Sequence, residues 1–168
     1  RTNEQKKQSV SPSNWLIDAF VELDKVFLGF EGLMLMSVVL GILDEETGEL
    51  LFINAEQPNS VLFRDEKASY IEQDKIHNKL GISFVFGGLS DVMIHTIQLK
   101  EGDIFIAASD GCENIIIDGK INEDKDTFLK LVEDCKGDIN LIASTIQTKA
   151  ELTDDLSILK INWIGDNK

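Results

Sequence analysis

The chain has 168 residues, with 30 Asp and Glu against 16 Lys and Arg, a formal net charge of −14 and 43% hydrophobic residues. That apolar content suffices for one substantial core, and its periodic spread along the chain excludes a disordered acidic tail. The excess negative charge argues against nucleic acid or an anionic membrane as partner, and suits a soluble protein that handles cations.

Cys112 and Cys135 have neither CxxC spacing nor a His-rich neighbouring segment, too few soft ligands for structural zinc; they read as reduced thiols of a cytoplasmic protein. The longest uncharged run, Gly32 to Leu43, is far short of the roughly 20 residues a membrane span needs, so direct membrane insertion is not expected. No signal peptide is visible. The chain opens on Arg1 without an initiator methionine, so the expectation is a piece of something longer.

Residues 1–10 are polar and unpatterned and read as a linker or frayed tail; residues 166–168 form a tail, and 11–165 the domain. Ser11 suits a helix N-cap and Pro12 the first turn, where its missing N–H costs nothing. Leu16, Ala19, Phe20, Leu23, Val26 and Phe27 then keep helical spacing to about Gly29, with Trp15 as a packing anchor. Leu33–Leu43 is apolar with little alternation, as in a strand buried on both faces, with Met34 and Met36 filling core. The turn Asp44–Gly48 returns the chain into Leu50–Asn54, and Glu45, Glu46 and Glu49 are solvated there. Val61–Phe63 and Ser69–Ile71 flank the charged turn 64–67 as a second hairpin, and 74–91 is loop. Val92–Leu99 reads as a strand, and Glu101-Gly102-Asp103 turns into the buried strand Ile104–Ala108. Asp126–Cys135 and Ile139–Ala150 are helices and Leu156–Trp163 a closing strand. Hairpins with segregated helices define an α+β layered architecture and exclude a doubly wound one.

Asp110 follows a buried strand, with Gly111 after it, and Asp154 and Asp155 open another. Carboxylates at the mouths of adjacent strands can converge on a hard divalent cation, and a glycine beside them permits close backbone approach. The plainer alternative is that Asp-Gly is a turn dipeptide and Asp154 punctuates a strand. Glycoside hydrolysis by an Asp110–Asp154 pair finds no aromatic sugar platform. His95 reads as a strand-face residue, and His77 as part of a charged loop; neither has a nucleophile at an informative spacing. Glu113 reads as solvent-exposed.

Four segments in order carry more information. They are Leu40-Gly41-Ile42-Leu43-Asp44 with Thr47-Gly48; Phe52-Ile53-Asn54-Ala55-Glu56-Gln57-Pro58; Leu99 to Gly111; and Thr153-Asp154-Asp155-Leu156-Ser157. Over about residues 11–163 this pattern resembles the SpoIIE-type branch of the metal-dependent protein phosphatases, the type 2C fold. The resemblance implies an antiparallel β-sandwich flanked by helices, with a two-metal Mn²⁺ or Mg²⁺ centre at one end. It implies Asp110 and Asp154 as metal ligands, Asp155 as a supporting candidate, and Gly111 as backbone near the metal; no residue is assigned as catalytic. It further implies hydrolysis of phosphoserine or phosphothreonine on a regulatory protein, an anti-sigma-factor antagonist, in cytoplasmic bacterial signalling, with an upstream sensor domain.

Two departures matter. The family's first motif, a Gly-Asp whose carboxylate bridges both metals, has no counterpart in residues 1–10, so the fold is N-terminally incomplete and its metal site short of a ligand. Glu56-Gln57 stands where the family pattern Asn-Ala-Gly-His-Pro has Gly-His. Either the chain is truncated, the favoured case, or the motif is lost and the fold serves as a non-catalytic interaction or dimerisation module. Open sheet edges left by missing strands would invite self-pairing, so a homodimer is one expected assembly.

Overall fold

In the computed structural model, which describes residues 11–73, 76–82, 92–117, 120–121 and 126–165, Ser11 caps the first helix by accepting from the Asn14 amide at 3.2 Å, with Pro12 in the first turn. The expected linker 1–10, the tail 166–168 and most of the loop 74–91 lie outside the described residues. Helix α1 (Pro12–Leu28) turns Leu16 and Phe20 fully inward on one stripe. Trp15 is not the anchor the sequence suggests: it lies beside that stripe and is 55% exposed, and Val26 is exposed as well.

The first sheet also corrects an expectation. Strand β1 covers only Val38–Leu43 and is an edge, half-buried; Leu33 is 90% exposed and Met34 and Leu35 are exposed before it. Met36 alone of the two methionines packs on the core, beside a single bridge to Leu80. Burial on both faces belongs instead to β2 (Glu49–Ala55), paired on one side with β1 and on the other with β5 (His95–Gln98), a shorter strand than 92–99. Period-two alternation splits β2 between two cores. Leu51, Ile53 and Ala55 meet Leu16 and Phe20 of α1, whereas Leu50 and Phe52 face Phe105 and Leu99 between the sheets.

A second sheet runs in the order β10 (Ile158–Asn162), β6 (Ile104–Ala108), β3 (Val61–Arg64), β4 (Lys67–Tyr70). Asp65 and Glu66 both take positive φ, 51° and 62°, the two-residue geometry that matches the twist of a tight β3–β4 hairpin. On β6 the alternation repeats: Phe105 points between the sheets, its ring 5.7 Å from that of Phe52, while Ile104 and Ile106 point outward. There they meet Phe128, Leu131 and Val132 of α2 (Asp126–Asp134) and Ile142 and Ile146 of α3 (Ile139–Lys149). The layers are therefore helix, sheet, sheet, helix: the expected α+β sandwich. A small third sheet, β8 (Lys120–Ile121), β7 (Ile115–Ile117) and β9 (Ala150–Leu152), has no signal in the hydrophobic pattern. Among the described residues no helix is long and apolar enough to cross a membrane.

Candidate metal centre

Antiparallel pairing of β6 with β10, with Ala108 opposite Ile158, puts the end of one strand beside the start of the other. Ser109 locks this junction. Its amide donates to the Ser157 carbonyl at 2.9 Å, its hydroxyl accepts from the Ser157 amide at 2.9 Å, and the hydroxyl also reaches the Asp155 carbonyl at 3.2 Å. Gly111, buried, is pressed on the same segment: a Cβ there would sit 2.5 Å from the Asp155 carbonyl oxygen. Only glycine allows that approach. The 3-10 turn Asp110–Asn114 is tied to the same region, since Thr153 Oγ1 donates to the Asn114 carbonyl at 3.4 Å.

The structure thus brings Asp110, Gly111, Asp154 and Asp155 to one end of the sandwich. All three carboxylates are exposed, and none takes part in the ion pairs found among the described residues. Asp154 Oδ1 accepts from the Asp155 amide at 2.8 Å, which fixes that side chain against its own backbone.

Next to Asp110 lies a cavity of about 290 Å³, walled on one side by Asp110 and Glu113 and on another by Glu56 and Pro58 from the turn after β2. Asn54, fully buried, builds that turn: its Nδ2 donates to the Gln57 carbonyl at 2.9 Å and to Gln73 Oε1 at 2.8 Å, and its Oδ1 accepts from the Gln57 amide at 2.9 Å. Glu56 sits at φ +51°, a left-handed conformation that explains why the family pattern has glycine there. Holding a glutamate in it costs about 1 kcal/mol. Tyr70, half-buried in the cavity wall, has its phenol pushed up to about 12 by burial first, then by nearby negative charge. Burial likewise pushes the Cys112 thiol up to about 12, with Glu113 and Asp110 adding to it, so this cysteine is no nucleophile.

His77 is buried within its loop. It is 4% exposed, its amide donates to the Asn54 carbonyl at 2.8 Å, and its Nε2 accepts from the Met93 amide at 3.0 Å. His95 packs on Phe52 with ring centroids 5.2 Å apart. Glu113 is exposed as expected, but it lines the cavity. Ser109 and Asn54 carry the local architecture and were not singled out from sequence. Their signals are a hydroxyl immediately before Asp-Gly at a strand end, and an asparagine closing a strand ahead of a turn with proline.

The donor chemistry suits one flank of a divalent-cation site: hard oxygens, solvent access and uncompensated charge. Among the described residues no three His, Cys, Asp or Glu side chains converge as a metal site.

The sandwich has the architecture of type 2C-like protein phosphatase folds. It is similar to the RsbU and RsbW domains of a Mycobacterium tuberculosis protein, with TM-score 0.71 and 17% identity over 90% of this chain and 43% of that one. It is also similar to the phosphatase domain of the cell fate determinant SpoIIE from Bacillus subtilis, with TM-score 0.56 and 20% identity over 98% of this chain and 79% of that one. A third similar structure is the catalytic domain of the serine/threonine protein phosphatase PstP in complex with 2 manganese ions, with TM-score 0.55 and 11% identity over 96% and 75% of the two chains. The chain thus spans less than half of the mycobacterial protein. Comparison with curated protein sequences gave no match. The family model for Stage II sporulation protein E matches residues 2–164, and the chain belongs to the SpoIIE family.

Proposed function

We propose that this domain hydrolyses phosphoserine or phosphothreonine on a regulatory protein, with Asp110 and Asp154 as carboxylate ligands of an Mn²⁺ or Mg²⁺ centre and Asp155 in support. The observation that carries this is the β6–β10 junction, where Ser109 and Gly111 hold the Asp154-Asp155 segment against Asp110. A divalent cation bound there would supply an activated water for in-line attack on phosphorus and would neutralise charge on the leaving oxygen. This chain's own residues present the carboxylates, keep them solvent-accessible and fix their backbone. The bacterial setting and an anti-sigma-factor antagonist as substrate rest on the family resemblance.

That no three His, Cys, Asp or Glu side chains converge among the described residues favours a second reading, a non-catalytic interaction or dimerisation module on the same fold. The two readings separate in one experiment: turnover of a phosphoserine protein by this chain with and without Mn²⁺, beside Asp110→Asn and Asp154→Asn. Metal-dependent turnover in the wild type, reduced at least tenfold in both variants, supports the enzyme. Turnover that ignores the variants overturns the ligand assignment. Silence with and without metal, in a chain that melts cooperatively, carries the same assay to the full-length protein, where activity supports the enzyme and silence supports the module.

A further inference from the structure

We infer that the cavity beside Asp110 is a subsite for one basic side chain, arginine or lysine, flanking the phosphorylated residue of the substrate; this rests on the phosphatase reading above. The cavity is a built concavity, formed where two separate turns face each other: the one after β2, carrying Glu56 and Pro58, and the one after β6, carrying Asp110 and Glu113. Its volume, about 290 Å³, is at the lower bound of the small-ligand range and takes one long side chain.

The lining selects the occupant. Glu56, Asp110 and Glu113 contribute negative charge, and among the described residues no lysine, arginine or histidine lines the cavity. Pro58 and Ile76 offer apolar surface, and the Tyr70 ring forms part of the wall. An aliphatic stem with a cationic head satisfies both kinds of surface, the stem against Pro58 and Ile76 and the head between carboxylates. An aromatic face adds attraction for the same head. An acidic side chain would be repelled. Asp110 is also a candidate metal ligand, so an occupant here lies beside the place where the phosphoryl group would react.

The position of the wall is held from beneath. Two side-chain hydrogen bonds of the buried Asn54 fix the Gln57 backbone, and with it the turn that carries Glu56 and Pro58, while a third ties Asn54 to Gln73. Asn54 is therefore a positioning residue for this subsite, because it touches no part of the occupant and carries no charge.

The test uses this chain and two phosphoserine peptides that differ at one neighbouring position, arginine against its neutral isostere citrulline. Binding is followed by fluorescence anisotropy and hydrolysis in Mn²⁺ by phosphate release. The expected result is an arginine preference of about three- to tenfold, appropriate to a cation between exposed carboxylates. Glu56→Gln and Glu113→Gln each reduce the ratio, and Asn54→Ser reduces it without changing any charge. General damage would weaken both peptides alike and leave the ratio intact. Equal affinities in the wild type, or a ratio unmoved by the glutamine variants, overturn the subsite. A ratio that survives in a folded Asn54→Ser protein marks a diffuse acidic field and overturns it too; if that variant does not fold, the glutamine variants decide. An arginine preference in binding without metal-dependent hydrolysis supports the subsite and counts against the phosphatase reading alone.

Discussion

Two aspartates flank β6, and their surroundings are opposite. Asp103, before the strand, is 2% exposed and gripped by Arg64, whose Nε donates to Oδ1 at 2.8 Å and whose Nη2 donates to Oδ2. The Lys100 amide donates to Oδ2 as well, at 2.7 Å. Asp110, after the strand, is exposed and outside the ion pairs found among the described residues. Gly-Asp on one side and Asp-Gly on the other look alike in the sequence. What separates them is a partner 39 positions away, since Arg64 reaches one end of β6 and among the described residues no arginine lines the cavity at the other. The sandwich thus closes one carboxylate with an internal cation and leaves the other exposed to solvent.

Breaking the closed end should have the largest effect. Burial by itself would push the Asp103 carboxyl up, but the hydrogen bonds from Arg64 and Lys100 and the charge of both outweigh it and hold the group below its ordinary 3.8. Asp103→Asn leaves the half-buried Arg64 without its counter-charge, and urea denaturation at neutral pH should give a loss of about 3 kcal/mol. The sign with pH follows from the lowered value. The stabilisation is present above 3.8 and is lost as pH falls through the folded-state pKa, so the gap between wild type and Asp103→Asn should close in strong acid. A gap that stays constant through acid would show that packing, not the ion pair, sets the cost.

Gly111→Ala attacks the open end through its backbone. A Cβ at 2.5 Å from the Asp155 carbonyl oxygen and 3.1 Å from the Leu156 Cα meets main chain, which cannot rotate away. The expected cost is about 2 kcal/mol by denaturation, with a weakened thermal response to Mn²⁺ because the Asp154-Asp155 segment is displaced from Asp110. Full stability together with an unchanged metal response would show that the junction tolerates separation.

The layers were legible because the hydrophobic period changes where the architecture changes. Leu16 and Phe20 keep a helical step on α1, and Ile104-Phe105-Ile106 forms the continuous apolar run of a central strand. The same logic failed at Leu33–Leu35: an apolar run says nothing about whether a neighbouring strand exists to cover it, and there none does among the described residues. Strands β7 and β9 escaped notice because each has only 3 residues, too few for a period to register. At the site, Asp110, Gly111 and Asp154 stood out through their place at strand ends and their order in the family pattern. Ser109 and Asn54 did not, because each reaches a residue far along the chain, Ser157 at 48 positions and Gln73 at 19, contacts made only in the folded chain. Arg64 was hidden for the same reason.

The same substitution applied to the other end of β6 sharpens the comparison most, although its cost is smallest. Asp110→Asn removes a charge that has no internal partner and sits beside Glu113 and Glu56, so metal-free stability should hold or rise slightly, opposite in sign to Asp103→Asn. What it should lose is the gain from added cation. If Asp110 is a ligand, Mn²⁺ affinity should fall at least tenfold, so that the metal stabilises the variant by about 1.4 kcal/mol less than the wild type at a matched Mn²⁺ concentration well above both dissociation constants. Thermal melts of both proteins across a Mn²⁺ titration read this directly. Equal midpoint shifts would remove Asp110 from the ligand set and leave its open carboxylate to the cavity alone. A shift confined to the wild type, set against an Asp103→Asn protein that is weaker but still metal-responsive, would assign stability to one end of the strand and cation binding to the other.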